Sequence, residues 1–219
     1  MKTQVSRVVA TTWLQTHRRS FAIWAAIVLS SALVLFSGQP AQAQFTAEQA
    51  QYIAQAEISL NRISTAVGRF LQISNEGNVA RGDFFLHRPG RLRFDYDPPS
   101  PLVLVADGRN IVEVDEELRT TRQRSLSNTP LRLFLSQNVD LRNQVNLVRV
   151  EEVADSILIT MQDRSRPNDG VLTLVLDRTN FTLRAWQIVD GNGERTTVRL
   201  ENMTYGVQIA PNFFVAPNY

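Results

Sequence analysis

The chain has 219 residues, with 23 Lys plus Arg against 21 Asp plus Glu, two His and no Cys. Without cysteine there is no disulfide framework and no thiol chemistry, and two histidines are too few for the usual zinc or iron ligand sets. The formal charge of +2 comes from one end: Lys2, Arg7, Arg18 and Arg19 precede residue 44 with no acid beside them, leaving 19 Arg against 21 acids, about −2, with no basic patch suited to nucleic acid.

Residues 1–43 read as a signal peptide ahead of a single domain at 44–219. The basic lead is followed by an apolar run from Phe21 to Phe36, and Ala41-Gln42-Ala43 offers a small-x-small cleavage site before Gln44. An uncleaved anchor is the competing reading, but about sixteen apolar residues fall short of the roughly 20 that span a bilayer. Arg18-Arg19-Ser20-Phe21 resembles a twin-arginine signal, although His17 stands where Ser or Thr is usual, so the general secretory route is preferred. With no cysteine at the cleavage site to carry a lipid, the expected product is soluble in an extracytoplasmic space, the periplasm in a bacterium with two membranes.

Thr46 is placed to cap a helix whose apolar positions Tyr52/Ile53, Ala56, Leu60 and Ile63 follow helical spacing. From Thr65 the period changes to two, and Asn75-Glu76-Gly77-Asn78, Arg88-Pro89-Gly90, Asp97-Pro98-Pro99 and Asp107-Gly108 punctuate strands expected at about 65–73, 79–87, 91–96, 102–106 and 110–115. Asp107-Gly108 between apolar runs signals a type I′ hairpin. A sixth strand at 118–125 leads to Asn128-Thr129-Pro130, where Thr129 can cap and Pro130 can begin a helix with Leu131, Phe134, Leu135 and Val139 on one face. Five further strands are expected at about 145–153, 157–162, 171–176, 183–189 and 194–204.

Local turns join all of these, so the fold expected is mainly β with helices: about eleven antiparallel strands in one curved sheet. Several strands are apolar on both faces: Leu102/Leu104 with Val103/Val105, Leu172/Leu174/Leu176 with Val171/Val175, and Leu183/Ala185/Val189 with Trp186/Ile188. Either the sheet closes on itself or its concave side forms an apolar hollow covered by the two helices.

Catalytic chemistry finds little support. His87 is the single histidine after the signal, and its place beside Arg88-Pro89 suits a polar residue at a strand end. Asp95/Asp97 and Asp115/Glu116/Glu117 are near pairs of the kind glycoside hydrolysis needs, but alternation puts Asp95 and Asp97 on the solvent side of their strand. No glycine loop for phosphate precedes a helix, and no metal or cofactor is expected.

The run Gly82-Asp83-Phe84-x-x-x-Arg88-Pro89-Gly90-Arg91-x-Arg93-Phe94-x-Tyr96, then Pro99, Asp107-Gly108, Asn128-Thr129-Pro130 and the closing Asn212-Phe213-Phe214-Val215-x-Pro217, resembles the periplasmic lipoprotein carrier family, LolA. The likeness spans essentially the whole chain after the signal. It implies an unclosed β-barrel with a helical lid over a hydrophobic cavity. Such a monomeric chaperone takes the acyl chains of lipoproteins from an inner-membrane ABC-type release complex and passes them to the outer membrane, usually through a receptor lipoprotein. Arg88 matches the family's arginine that hydrogen-bonds the lid and holds the empty cavity shut, with Pro89 fixing its geometry. The cavity wall expected is Phe84, Leu86, Leu92, Phe94, Tyr96, Leu104 and Trp186, under lid residues Ile53, Leu60, Leu131 and Phe134; which face of the Phe84-Phe85-Leu86 strand is inside stays open.

Two alternatives stand beside the carrier: a half-barrel sensor of lipid or lipoprotein, and a protein that both carries and inserts its cargo. A periplasmic hydrolase is a third, lacking a nucleophile and base pair.

Overall fold

The computed structural model describes residues 45–217. The expected signal segment, its cleavage site and the choice of export route lie outside them.

Helix α1 (Ala47–Asn61) begins in a capping box: the Gln49 N–H donates to Thr46 Oγ1 at 3.1 Å, and the Thr46 N–H donates to Gln49 Oε1 at 2.9 Å. Its buried face is Ile53, Ala56 and Leu60, as the spacing predicts. The strands follow in chain order: β1 (Thr65–Ile73), β2 (Val79–His87), β3 (Arg91–Tyr96), β4 (Leu102–Asp107), β5 (Asn110–Asp115), β6 (Thr120–Ser125), and, after helix α2 (Leu131–Leu135), β7 (Val145–Val153), β8 (Ser156–Asp163), β9 (Gly170–Asp177), β10 (Leu183–Asp190) and β11 (Arg195–Tyr205).

All eleven strands form one antiparallel sheet in the order β6-β5-β4-β3-β2-β1-β11-β10-β9-β8-β7. Consecutive strands are neighbours in the sheet except β6 and β7, and β1 also pairs with β11, Ala66 opposite Tyr205 and Ile73 opposite Thr197. The sheet therefore has a central seam, β1 with β11, and two wings. The wings end at β6 and β7, which do not pair, so the barrel is open.

The covering helix reveals the curvature. Helix α2 accepts the Gly90 N–H at Leu135 O (2.8 Å), just past β2, while its Arg132 contacts Asp163 at the end of β8. Five strand spacings separate β2 from β8, about 24 Å on a flat sheet at roughly 4.8 Å each. A five-residue helix is only about 7.5 Å long. It meets both because the wings bend towards each other.

The concave face, both helices and the segment after α2 share one core that includes Phe70, Phe84, Leu86, Leu92, Phe94, Ile159, Leu174, Trp186, Leu60 and Phe134. Gly82 makes room for it: a Cβ there would lie 2.0 Å from Asp95 O and 2.6 Å from the Phe70 ring. A second, smaller core lies on the convex side. There Val103, Val105, Val112 and Val114 are covered by Phe214, Phe213 and Ile209 of the last segment, which includes a 3-10 turn (Pro211–Phe214).

This second core accounts for the two-faced apolarity of β4, which needs neither closure nor a cavity. A β-bulge accounts for part of β10: the register shifts between Leu183 and Ala185, so Leu183 joins Trp186 and Ile188 on the concave side and does not share a face with Ala185. In β9, Leu172, Leu174 and Leu176 are buried inward, while Val171 and Val175 are half-buried on the other face.

Two turn expectations change. The β4–β5 hairpin has positive φ at Gly108 but not at Arg109, so it is not type I′; Asp107 Oδ1 accepts the N–H groups of Arg109 (2.8 Å) and Asn110 (2.7 Å) instead. Thr129 does not cap α2. A 3-10 turn (Leu126–Asn128) capped by Ser125 comes first, Thr129 Oγ1 turns back to Leu126 O at 3.4 Å, and α2 ends at Leu135, before Val139. Val139 is nevertheless buried with Leu131, Phe134 and Leu135.

Candidate functional site: a lidded apolar hollow

Alternation decides which side of β2 is inside. Phe84 and Leu86 belong to the concave core, whereas Phe85 points to the convex side, its ring centroid 4.6 Å from that of Phe213. His87 shares the outward face, with its ring 5.9 Å from Phe214 and Nδ1 buried without a hydrogen-bond partner. It faces away from the hollow.

A cavity of about 390 Å³ opens between the wings and under α2. Phe94, Leu104, Trp186 and Leu131 line it, together with Ile111, Ile188 and Val198, which sequence reasoning did not single out. Arg124, Asp169, Asp190 and Glu194 stand among its polar lining. The other expected wall residues, Phe84, Leu86, Leu92 and Tyr96, share the same concave face but are packed into the core beyond the cavity lining. Lid residues Ile53, Leu60 and Phe134 are likewise buried there. The void lies at the lower end of the roughly 300–1,000 Å³ range of small-molecule pockets, because side chains from the helices fill much of the hollow.

Aromatic rings connect wings and lid. Phe94 lies 4.6 Å from Phe70 and 5.5 Å from Phe84, both Phe84 and Phe94 approach Trp186 (5.9 and 6.2 Å), and Phe134 of α2 sits 5.6 Å from Trp186. Tyr96 adds its ring 5.0 Å from Phe70 and donates its hydroxyl to Gln72 Oε1 at 2.9 Å. Burial pushes the Tyr96 phenol up to about 12, so it stays neutral.

Arg88 follows β2 directly and is 7 % exposed. Its guanidinium carbon lies 4.9 Å from the centroid of the Phe134 ring, so it touches the lid through a cation–π contact. The expected hydrogen bonds from this side chain to helix carbonyls are absent at Nε and Nη2, which are buried without partners. The hydrogen bond to α2 comes from the backbone N–H of Gly90, two residues on, and the Arg88 N–H donates to Ser64 O at 2.8 Å. Pro89 lies between, joined to Arg88 by a cis peptide bond. Burial pushes the Arg88 guanidinium down to about 10, still charged at neutral pH.

A second ionic contact holds α2 from the other wing. Arg132 meets Asp163, itself 1 % exposed, as an ion pair in which Asp163 Oδ2 and Arg132 Nε make no hydrogen bond, and Arg132 Nη2 donates to Ser165 Oγ at 3.0 Å; burial pushes the Arg132 guanidinium down. Asp163 Oδ1 also accepts the Ser165 N–H (2.8 Å), the Ser165 hydroxyl (2.7 Å) and the Arg166 N–H (3.2 Å). Nothing in the linear sequence marks this pair, because Asp163 reads as an ordinary strand-end residue. Elsewhere the carboxylates hold arginines at the surface: Asp83 and Asp97 bracket Arg69, and Asp95 takes Arg93 Nε at 2.7 Å. No group of three or more His, Cys, Asp or Glu suited to a metal occurs among the described residues.

An open antiparallel half-barrel whose concave face and two helices enclose an apolar hollow defines a class of lidded half-barrels. The family model described as "Outer membrane lipoprotein carrier protein LolA" matches residues 61–216, and the chain belongs to that family. It is similar to the outer-membrane lipoprotein carrier protein of Alkalilimnicola ehrlichii, 27 % identical over 177 residues covering 77 % of this chain and 80 % of the relative. The corresponding protein of Azotobacter vinelandii is 28 % identical over 181 residues, 78 % of this chain and 84 % of that one. Among solved structures, a LolA superfamily protein from Nitrosomonas europaea aligns over 79 % of this chain and 99 % of its own, with TM-score 0.45 and 11 % identity.

Proposed function

We propose that this chain is a periplasmic chaperone, exported with residues 1–43 removed, that shields the acyl chains of lipoproteins between the inner and outer membranes. It accepts cargo from an inner-membrane ABC-type release complex, hands it to the outer membrane through a receptor lipoprotein, and catalyses no reaction. The observation that carries this reading is the hollow: a cavity with Phe94, Leu104 and Trp186 in its apolar wall, and Arg124, Asp169, Asp190 and Glu194 in its polar lining, lies under α2 in a chain of the carrier family.

At about 0.8 kcal/mol per methylene, one long acyl chain costs on the order of 10 kcal/mol to expose to water, so unassisted crossing is prohibitively slow. A carrier must offset that cost and still let go. Filling the empty hollow with its own lid side chains achieves this, because cargo displaces apolar contacts rather than occupying a vacant pocket, and they return on release. Phe84, Leu86, Leu92, Phe94, Tyr96, Leu104 and Trp186 then form the wall, and Ile53, Leu60, Leu131 and Phe134 the face of the lid. Arg88, with Pro89 behind it, is the latch.

The test is to purify the exported protein from cells in which the outer-membrane receptor is depleted and to identify bound molecules by intact-mass spectrometry. Lipoproteins should copurify in stoichiometric amount. A preparation free of them would overturn the carrier function.

A further inference from the structure

The lid is anchored unequally. Polar ties run from it to the wing formed by β7–β11. Arg132 of α2 contacts Asp163 and Ser165 beyond β8. The segment after α2 is fastened to α1 by Asn61, whose side chain donates to Val139 O (2.9 Å) and accepts the Val139 N–H (2.8 Å), and by Glu57, which accepts the Leu141 N–H (2.8 Å). Helix α1 is in turn bound to the same wing: Gln49 Nε2 donates to Val150 O (2.9 Å), Tyr52 donates to Glu152 (2.7 Å), and Ser59 donates to Phe181 O (2.7 Å).

Towards the wing formed by β2–β6 the ties are few. They are the Gly90 N–H to Leu135 O, the Leu126 N–H to Arg109 O where the lid segment leaves β6, and the Arg88–Phe134 contact. The remaining contact with that wing is apolar packing.

An acyl chain can replace apolar packing methylene for methylene, but it cannot supply a partner for a buried carboxylate or a backbone N–H. Cargo therefore parts the molecule along the surface poorest in polar ties. Removing the partner of a buried ion costs several kcal/mol, so Asp163 keeps Arg132.

We propose that α1 and α2 open as one piece mounted on the β7–β11 wing, with Arg132–Asp163 as the mount, and that loading separates this piece from the β2–β6 wing at the Arg88–Phe134 contact. This rests on the carrier reading and adds to it which wing keeps the lid. The cavity already lies on that boundary, with Phe94, Leu104 and Ile111 on one bank and Trp186, Ile188 and Leu131 on the other.

Two measurements test it. In the empty protein, amide hydrogen exchange should be at least tenfold faster at Gly90 than at Val139 and Leu141; equal or slower exchange at Gly90 overturns the mount. The chain lacks native cysteine, so paired cysteines can then be joined by a short bismaleimide. Linking Glu48→Cys to Glu152→Cys, which flank the Tyr52 hydroxyl between α1 and β7, should leave loading of a dye-labelled triacyl lipopeptide within twofold of the unlinked protein, and linking Arg91→Cys to Ser136→Cys should reduce it at least tenfold. The reverse order would refute the proposal. If the unlinked protein takes up no lipopeptide at all, the carrier reading fails, while the exchange order still decides how the lid is mounted.

Discussion

Arg88 is expensive where it lies. A guanidinium held down to about 10 by burial carries a penalty of about 3 kcal/mol, at roughly 1.4 kcal/mol per pKa unit. The stacking on Phe134 returns about 2 kcal/mol when desolvated. Because the folded pKa of this base is depressed, the penalty applies at every pH below about 10 and is relieved only above it. The Phe134 contact exists only while the lid is closed, so it ties Arg88 to closure, and the buried charge makes the hollow a poorer solvent for hydrocarbon. We expect Arg88→Leu to unfold at the same or a higher urea concentration than the parent, to hold a triacyl lipopeptide more tightly, and to transfer it to acceptor vesicles several-fold more slowly. Unchanged transfer would remove Arg88 from the release step. The family resemblance pointed to this residue, but its contact with the lid is a ring face rather than a hydrogen bond, a distinction that depends on where α2 falls.

At the scale of elements, the strands were the most legible part. Alternation and Gly, Asn and Pro punctuation marked all eleven within a few residues, because period-two patterning is local and tolerates errors of register at the ends. Three features were not legible. The β10 bulge is one added residue with no compositional mark; the helix expected from Pro130 is there, but its end at Leu135 was not readable because Val139 continues the same apolar spacing; and the apolar outer face of β4 could not be assigned to its cover, Phe213 and Phe214, which lie more than a hundred positions away. The cover itself is fastened by Arg93, whose Nη1 donates to Phe213 O at 3.2 Å and whose guanidinium lies 4.7 Å from the Phe213 ring. Phe214→Ala should therefore lower unfolding stability by about 3 kcal/mol, as other buried Phe truncations do, measured from the urea midpoint. Its lipopeptide affinity should stay as it was, since this core is on the opposite side of the sheet from the hollow. A large loss of affinity would show that the two faces are coupled.

Across the described residues, the two wings are joined into one sheet by the pairing of β1 with β11, strands drawn from opposite ends of the described chain. No local signal announces that pairing, and it is what turns two meanders into one half-barrel. A fragment ending at Asp190, which keeps ten strands but lacks β11 and the outer cover, should be degraded by trypsin at least tenfold faster than the full chain. Comparable resistance would mean that the β1–β6 wing folds alone. If the chain is exported as proposed above, threaded through the general secretory route, it reaches the far side of the membrane from its N-terminal end first. The wing that is complete in sequence by Ser125 arrives with Val103, Val105, Val112 and Val114 bare and with no neighbour for one edge of β1, and the last-delivered residues supply both. On that reading folding waits for the end of translocation, and until then a protein that shields other molecules' greasy surfaces has one of its own to keep from its neighbours.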